Sequence, residues 1–181
     1  MNILENESHI IHRAQSGNQT AFKILYDAYV VSLFRFLKQF SQDTDEVSEW
    51  VQRAFIKAFE HLPTFREEAR FSSWLFTLGL NEMRMDRRRT TLIVQEHGTL
   101  EEVHAKGQDQ EEFIWDETMK TLIGALDESK RMVFLLYEVE GYSHGEIAAM
   151  LQVQESTSRT ILTRAKQQLK ELWKQECNEY D

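Results

Sequence analysis

Apolar residues recur along most of this chain at spacings of three and four, the period that gathers side chains on one face of an α-helix. Between Ser8 and Phe40 they fall at Ile10, Ile11 and Ala14, then at Ala21, Phe22, Leu25, Tyr26, Tyr29, Leu33, Phe34 and Leu37. Ser16-Gly17-Asn18 interrupts the series, and Gly and Asn tolerate the left-handed backbone of a helix end, so a helix is predicted on either side. A third is predicted from the acids at Asp43 to Asp45, which suit a positive helix N-terminus, to the stop at Pro63. Its core stripe is Val47, Trp50, Val51, Ala54, Phe55, Ala58 and Phe59. After the loop TFREEARF comes a fourth, capped by Ser72, with Trp74, Leu75, Leu78 and Met85 inward and Arg84, Arg87, Arg88 and Arg89 at its far end.

Beyond a polar interval the pattern resumes. Phe113 to Leu126 and Ser129 to Glu140 read as helices, and Gly141 ends the second. Ser143 with Glu146 three residues later forms a capping box that opens a short helix. Ile147, Ala148 and Leu151 of that helix face inward, and Val153 fills the corner after it. The last helix starts between Gln154 and Ser156 and buries Ile161, Leu162, Ala165, Leu169 and Leu172, leaving Thr157, Arg159, Thr163, Arg164 and Lys166 outward. Two helices joined by a tight break, the second carrying hydroxyls and bases outside, match a helix-turn-helix, whose outer face supplies donors for phosphates and base edges. The same packing occurs in proteins that bind no DNA, so this motif alone leaves DNA binding open.

One proline and seven glycines in 181 residues agree with an all-α fold. Two small helical domains are expected, residues 1–93 and 113–181, joined by a flexible acidic linker at 94–112. The formal charge of −9 is concentrated near that linker: residues 96 to 118 hold one basic and eight acidic side chains, whereas residues 1 to 95 hold twelve of each. The negative total therefore says little about either flanking domain. The loop before the fourth helix brackets bases with Phe65 and Phe71, which is what unpaired nucleic acid requires: rings for a base to lie against and cations for phosphates. The arginines at the end of that helix are explained equally well as complements to its dipole.

Enzyme chemistry finds little support. Cys177 is the only cysteine, so no disulfide framework or cysteine zinc site is expected. His9 and His12 could meet on one helix face near Glu5, but a surface pair without further ligands is not read as a metal site. Trp50, Trp74, Trp115 and Trp173 read as core or interface, and no glycine-rich phosphate loop occurs. No catalytic residue, metal or cofactor is expected. The opening residues MNILENESHIIH lack a signal-peptide pattern, and no apolar run is long enough to span a bilayer, so a soluble cytoplasmic protein without membrane insertion is expected.

Several stretches, in order, resemble the extracytoplasmic-function sigma factors, a class of the sigma-70 family. They are SGNQTAFKILYDAY, EVSEWVQRAFIKAFEHLPTFR, FSSWLFTLGLNEMRMDRRR, and ALDESKRMVFLLYEVEGYSHGEIAAMLQV followed by ESTSRTILTRAKQQL. The resemblance implies a promoter-melting domain and a helix-turn-helix domain, with core RNA polymerase, promoter DNA and an anti-sigma factor as partners. It assigns Glu46, Glu49, Trp50, Gln52, Arg53 and Phe55 to core polymerase binding. It assigns Phe65, Arg66, Arg70, Phe71, Asn81, Arg84, Arg87, Arg88 and Arg89 to the minus-ten element, with a flipped base held by the loop. Ser156, Thr157, Arg159, Thr160, Thr163, Arg164 and Lys166 fall to the minus-thirty-five element. The linker, by the same resemblance, threads basic polymerase channels. Arg53, Leu80, Met85 and Ile161 depart from the family pattern, where an acid, an arginine, an aspartate and a base are common. Those departures keep open an alternative, a sigma mimic that binds an anti-sigma protein without starting transcription; a plain helix-turn-helix repressor would leave the first domain unexplained.

Overall fold

The computed structural model describes residues 4–97 and 117–178, and the chain divides into two compact units, Met1–Gln108 and Asp109–Asp181. Among the described residues there are eight α-helices and no strand, as an all-α sequence requires.

The first unit holds α1 (Glu7–Gln15), α2 (Gln19–Lys38), α3 (Thr44–His61) and α4 (Phe71–His97). Gly17, at φ +86°, makes the break between α1 and α2, and the Asn18 side chain caps α2 by accepting from the Ala21 amide. Asp43 caps α3 through the amides of Asp45 and Glu46. A 3₁₀ turn at Leu62–Thr64 carries the chain off α3 around Pro63. The core is built from Leu25, Tyr29, Leu33 and Leu37 of α2, Trp50 and Ala54 of α3, and Phe71, Leu75, Phe76, Leu80 and Met83 of α4.

α4 differs from the sequence reading in three ways. It begins at Phe71, and Ser72 is buried inside its first turn, so Ser72 is not the cap. Its inward face is Phe71, Leu75, Phe76, Leu80 and Met83, whereas Met85 is 37% exposed and Trp74 and Leu78 only half-buried. Leu75 alone of the predicted stripe lies on the inward face, and Trp74, Leu78 and Met85 lie beside it. The helix also continues to His97, past the expected boundary at residue 93. Residues 98–112 of the expected linker and residues 113–116 at the head of the next predicted helix lie outside the described residues.

The second unit contains α5 (Glu117–Gly124), α6 (Glu128–Phe134), α7 (His144–Leu151) and α8 (Glu155–Asn178). Asp127 caps α6, and Arg131 donates to the carbonyls of Ile123 and Leu126 at 3.1 and 3.0 Å, closing the end of α5. After α6 the helix widens to a π turn over Leu135–Val139, with the Glu140 amide on the Leu135 carbonyl at 3.0 Å, and Gly141 at φ +73° ends it. The capping box of Ser143 and Glu146 opens α7, and Gln152, at φ +56°, makes the turn to α8. Val153 is 37% exposed and does not fill the corner; His144 and Ser158, hydrogen-bonded to each other, are buried between α7 and α8. Leu162 and Ala165 of α8 are buried, while Ile161, Leu169 and Leu172 are only half-buried.

No helix among the described residues is long and apolar enough to cross a membrane. No group of three or more metal-ligating side chains forms among them either.

Gly79 of α4 lies close against α2, where an added Cβ would stand 2.9 Å from Leu33 Cδ1 and 3.2 Å from Leu37 Cδ1. A leucine there has no space between α2 and α4. Gly79→Leu is expected to destabilise this unit by about 1–3 kcal/mol through overpacking, read as a lower denaturation midpoint in urea.

Candidate protein-docking and nucleic-acid surfaces

Three surfaces emerge from the side chains that the two cores leave outside. On the first unit, α2 and α3 bound an apolar groove lined by Phe22, Tyr26, Val30 and Phe34 from one helix and Val51, Gln52, Phe55, Ile56 and Phe59 from the other. Tyr26 is 40%, Ile56 50% and Phe59 52% exposed, so the groove is an apolar patch open to solvent, the mark of a protein-docking surface. Phe59, read from sequence as core, belongs to this patch. Tilted and edge-on ring pairs, Phe22 with Phe59 at 5.0 Å and Tyr26 with Phe55 at 4.6 Å, hold the aromatics across the groove.

The residues expected on the docking helix divide between this surface and the interior. Glu49 and Gln52 are exposed, and Glu46 and Arg53 are half-buried. Phe55 is 4% exposed and forms the floor of the groove. Trp50 is wholly buried, and its indole N–H donates to Asp86 of α4 at 3.1 Å, so its side chain offers no surface to a partner. Arg53 also reaches Asp86, at 3.4 Å, and pairs with Glu49 at 2.5 Å. Burial opposes the Arg53 charge, but Glu49 and Asp86 outweigh it and raise the guanidinium pKa. The departure at Arg53 is thereby explained: with Asp86 one place after the exposed Met85, the guanidinium has an internal partner.

The second surface runs from the loop at 65–70 along α4. Phe65 stacks on Trp74 with ring centroids 4.8 Å apart and planes 28° from parallel, and both rings are half-buried. Phe71 lies beneath, 1% exposed, against Phe65, Trp74 and Tyr29. Phe71 therefore supports the platform from within; the ring that joins Phe65 at the surface is Trp74, which the sequence reading had counted toward the helix core. From Trp74 a helical stripe continues through Thr77, Asn81, Arg84 and Arg88, at steps of three and four along one side of α4. Asn81, Arg66, Arg70, Arg88 and Arg89 are exposed. Arg87 has a different use, since its guanidinium donates to the Phe40 carbonyl just beyond α2. Leu80, where the family pattern favours arginine, is fully buried and takes nothing from the exposed stripe.

The third surface is the outer side of α8. Ser156, Thr157, Arg159, Thr160, Thr163, Arg164 and Lys166 are all exposed. The Thr160 and Thr163 hydroxyls donate to the carbonyls of Ser156 and Arg159, which leaves their oxygens available as acceptors. Arg159 pairs with Glu155, and Lys166 pairs with Glu138 at 2.6 Å while lying 5.9 Å from the Tyr137 ring centre. Arg164 makes no ion pair among the described residues. What aims this face is the seam between α7 and α8: His144 Nδ1 meets Ser158 Oγ at 2.9 Å, both groups buried, and the imidazole stacks on Tyr137 at 4.5 Å. Ile161, the remaining departure, is half-buried on the side of α8 that turns toward the unit.

Comparison with known proteins gives matches over both units. Residues 25–92 match sigma-70 region 2, and residues 116–169 match sigma-70, region 4. The chain is 28% identical to the RNA polymerase sigma-H factor of Pseudomonas aeruginosa, over 90% of this chain and 91% of that one. It is 28% identical to the ECF RNA polymerase sigma-E factor of Escherichia coli K12, over 87% and 89%. Among solved structures it is similar to the sigma factor RpoE in complex with the anti-sigma factor NepR from Bartonella quintana, with a TM-score of 0.73, 25% identity and coverage of 84% of this chain and 96% of that one. It is also similar to CnrH in complex with the cytosolic domain of CnrY, with a TM-score of 0.68, 26% identity and coverage of 94% and 98%.

The buried seam of the second unit makes its stability depend on pH. Burial, then the nearby charge of Arg159, hold the His144 pKa below the ordinary histidine value of 6.5. Unfolding restores the ordinary value, so the unfolded chain binds the proton first on acidification. The His144 contribution is complete above pH 6.5 and falls as pH drops from there toward the lowered folded value. Amide exchange in α7 and α8, corrected for intrinsic rates, is expected to show protection declining across that window. His144→Gln, which does not titrate, should remove that part of the decline.

Proposed function

The chain belongs to the sigma-70 family, as an extracytoplasmic-function RNA polymerase sigma factor, and we propose how its three surfaces divide that work. The apolar groove of α2 and α3, rimmed by Glu49 and Gln52, docks on core polymerase. The Phe65–Trp74 platform accepts an unstacked base of the minus-ten element, and Asn81, Arg84, Arg88 and Arg89 follow the adjoining backbone. The outer side of α8, from Ser156 to Lys166, enters the major groove at the minus-thirty-five element. The acidic stretch 94–112 complements a basic channel of the polymerase by charge.

The observation that carries this reading is the order of features within the first unit: an open apolar groove on one pair of helices and, on α4, an aromatic platform leading into exposed cations. A repressor that only binds duplex DNA has use for neither. The protein acts in the cytoplasm, catalyses no reaction of its own, and works through the polymerase it recruits. An anti-sigma factor is its regulator, a reading supported by the solved relative held by an anti-sigma protein. Such a regulator works by covering the docking and DNA-binding faces.

Transcription in vitro with core polymerase on fragmented genomic template tests the reading directly. Discrete starts that disappear without the protein are expected, and their alignment yields the promoter motif. Absence of starts, with an anti-sigma protein still bound, would point to a mimic. Two substitutions separate the DNA surfaces. Phe65→Ala removes a stacking ring worth about 1–3 kcal/mol per base, so permanganate reactivity of the melted region should fall far more than initial promoter binding. Arg164→Ala should weaken minus-thirty-five duplex binding about three- to tenfold and lower the slope of log affinity against log salt by about one.

A further inference from the structure

Helix α1 carries a polar face beside its buried apolar one. Ile11 and Ala14 bury its apolar side. Ser8, His12 and Gln15, at i, i+4 and i+7, share another side, and all three turn to the segment between α3 and α4. The Gln15 amide donates to the carbonyl of Leu62 at 3.2 Å and to that of Phe65 at 2.7 Å. Its oxygen faces His12 Nδ1 at 3.1 Å, which orients the amide. The Ser8 hydroxyl donates to Glu67 Oε2 at 2.7 Å, and His12 Nε2 lies 3.3 Å from Glu67 Oε1.

Glu67 gives these contacts their meaning. It has φ +55°, the left-handed region that a residue with a Cβ rarely occupies without outside support. It stands two residues after Phe65 and three before Arg70, in the middle of the loop that presents the ring. The Ser8 and His12 contacts hold its carboxylate, and Gln15 holds the carbonyl of Phe65 itself. A second support reaches the platform from below, where Tyr29 donates to Glu7 of α1 and packs its ring 5.5 Å from Phe71.

We propose that Ser8, His12 and Gln15 of α1 are positioning residues that hold the loop at Phe65–Glu67 in the shape that selects the captured base. The proposal rests on the reading of the Phe65–Trp74 platform as the base-capture site. None of the three residues touches the base. They fix the backbone that carries Phe65, so that the distance and tilt of the ring are set before DNA arrives and binding does not have to order the loop.

The test uses holoenzyme assembled from core polymerase and the full-length protein. Its probes are fluorescent single-stranded oligonucleotides that span a minus-ten sequence mapped by the transcription assay, with each of the four bases at the captured position. Gln15→Met keeps the volume and removes the donor. Glu67→Gly removes the carboxylate while giving the backbone a residue at ease with positive φ, so loss of binding in this variant is not loss of folding. Both variants are expected to bind the preferred oligonucleotide about tenfold more weakly and to discriminate less among the four bases, with unchanged affinity for core polymerase and, for Gln15→Met, a thermal midpoint lowered only by the lost hydrogen bonds, well above the assay temperature. Wild-type affinity and base preference in both would overturn the proposal, as would a parallel loss of polymerase affinity, which would make the contacts merely structural. Phe65→Ala serves as the reference. If it too binds like wild type, the base-capture reading falls and the positioning role falls with it; if it alone weakens, the positioning role alone is rejected.

Discussion

Two carboxylates one turn apart on α4, Glu82 and Asp86, determine how the first unit is assembled. Glu82 is 1% exposed, and a carboxylate so far from water must be matched by an opposite charge or by donors. Lys57 reaches it at 2.5 Å, and Trp50 and Arg53 reach Asp86 at 3.1 and 3.4 Å. The three partners lie at i, i+3 and i+7 on a single side of α3, so pairing both acids by charge holds α3 and α4 in one register, although Glu82 Oε1 meets Lys57 as an ion pair without a hydrogen bond. Ion pairs of this kind add little net stability, but a register that left Glu82 alone would be costly. With those sides committed to each other, α3 is left to turn Gln52, Ile56 and Phe59 toward the groove beside α2, and α4 is left to expose Asn81, Arg88 and Arg89. The surfaces proposed for docking and DNA binding are the remainders of one packing solution.

The acidic total comes mainly from residues 96–118, and within the first unit the cations are divided between scaffold and surface. Net charge is a poor guide where cations have been sorted by position. Arg53 and Arg87 are tied to groups of their own unit, by Asp86 and by the Phe40 carbonyl, and contribute to the scaffold. Arg88 and Arg89, a residue or two further along the same helix, are exposed. Three of the four departures from the family pattern likewise have structural roles or settings. Arg53 has Asp86, Leu80 is core, and Ile161 is half-buried, so the exposed faces keep their polar character.

In the second unit the corresponding device is neutral rather than ionic. His144 and Ser158 meet across the α7–α8 crossing, and the imidazole stacks on Tyr137 from the π turn. A hydrogen bond between two buried polar groups is directional where apolar contact is not, so it sets the rotation of α8 as well as its closeness. That rotation decides which hydroxyls and bases of α8 are presented outward.

Helical periodicity and turn chemistry were sufficient to determine the all-α architecture, the breaks at Gly17, Pro63 and Gly141, the capping box at Ser143, and the outward face of α8. These depend on neighbours in sequence, and a single chain contains all of the information they need. The family resemblance located sigma-70 regions 2 and 4 as blocks. Sorting residues within the blocks required the tertiary structure. An apolar stripe on a helix looks the same whether a sister helix or a foreign protein covers it, so Phe59 and Trp50 read alike, although one is exposed and the other wholly buried. An aromatic beside a loop likewise reads as a base platform whether it lies on the surface like Phe65 or beneath it like Phe71. Nor does any local pattern connect Gln15 to Phe65 or Trp50 to Asp86, contacts that span 50 and 36 residues. Only the packing of whole helices brings such groups within bonding distance, because the partner of a side chain is set by the crossing of two elements and not by the period of either.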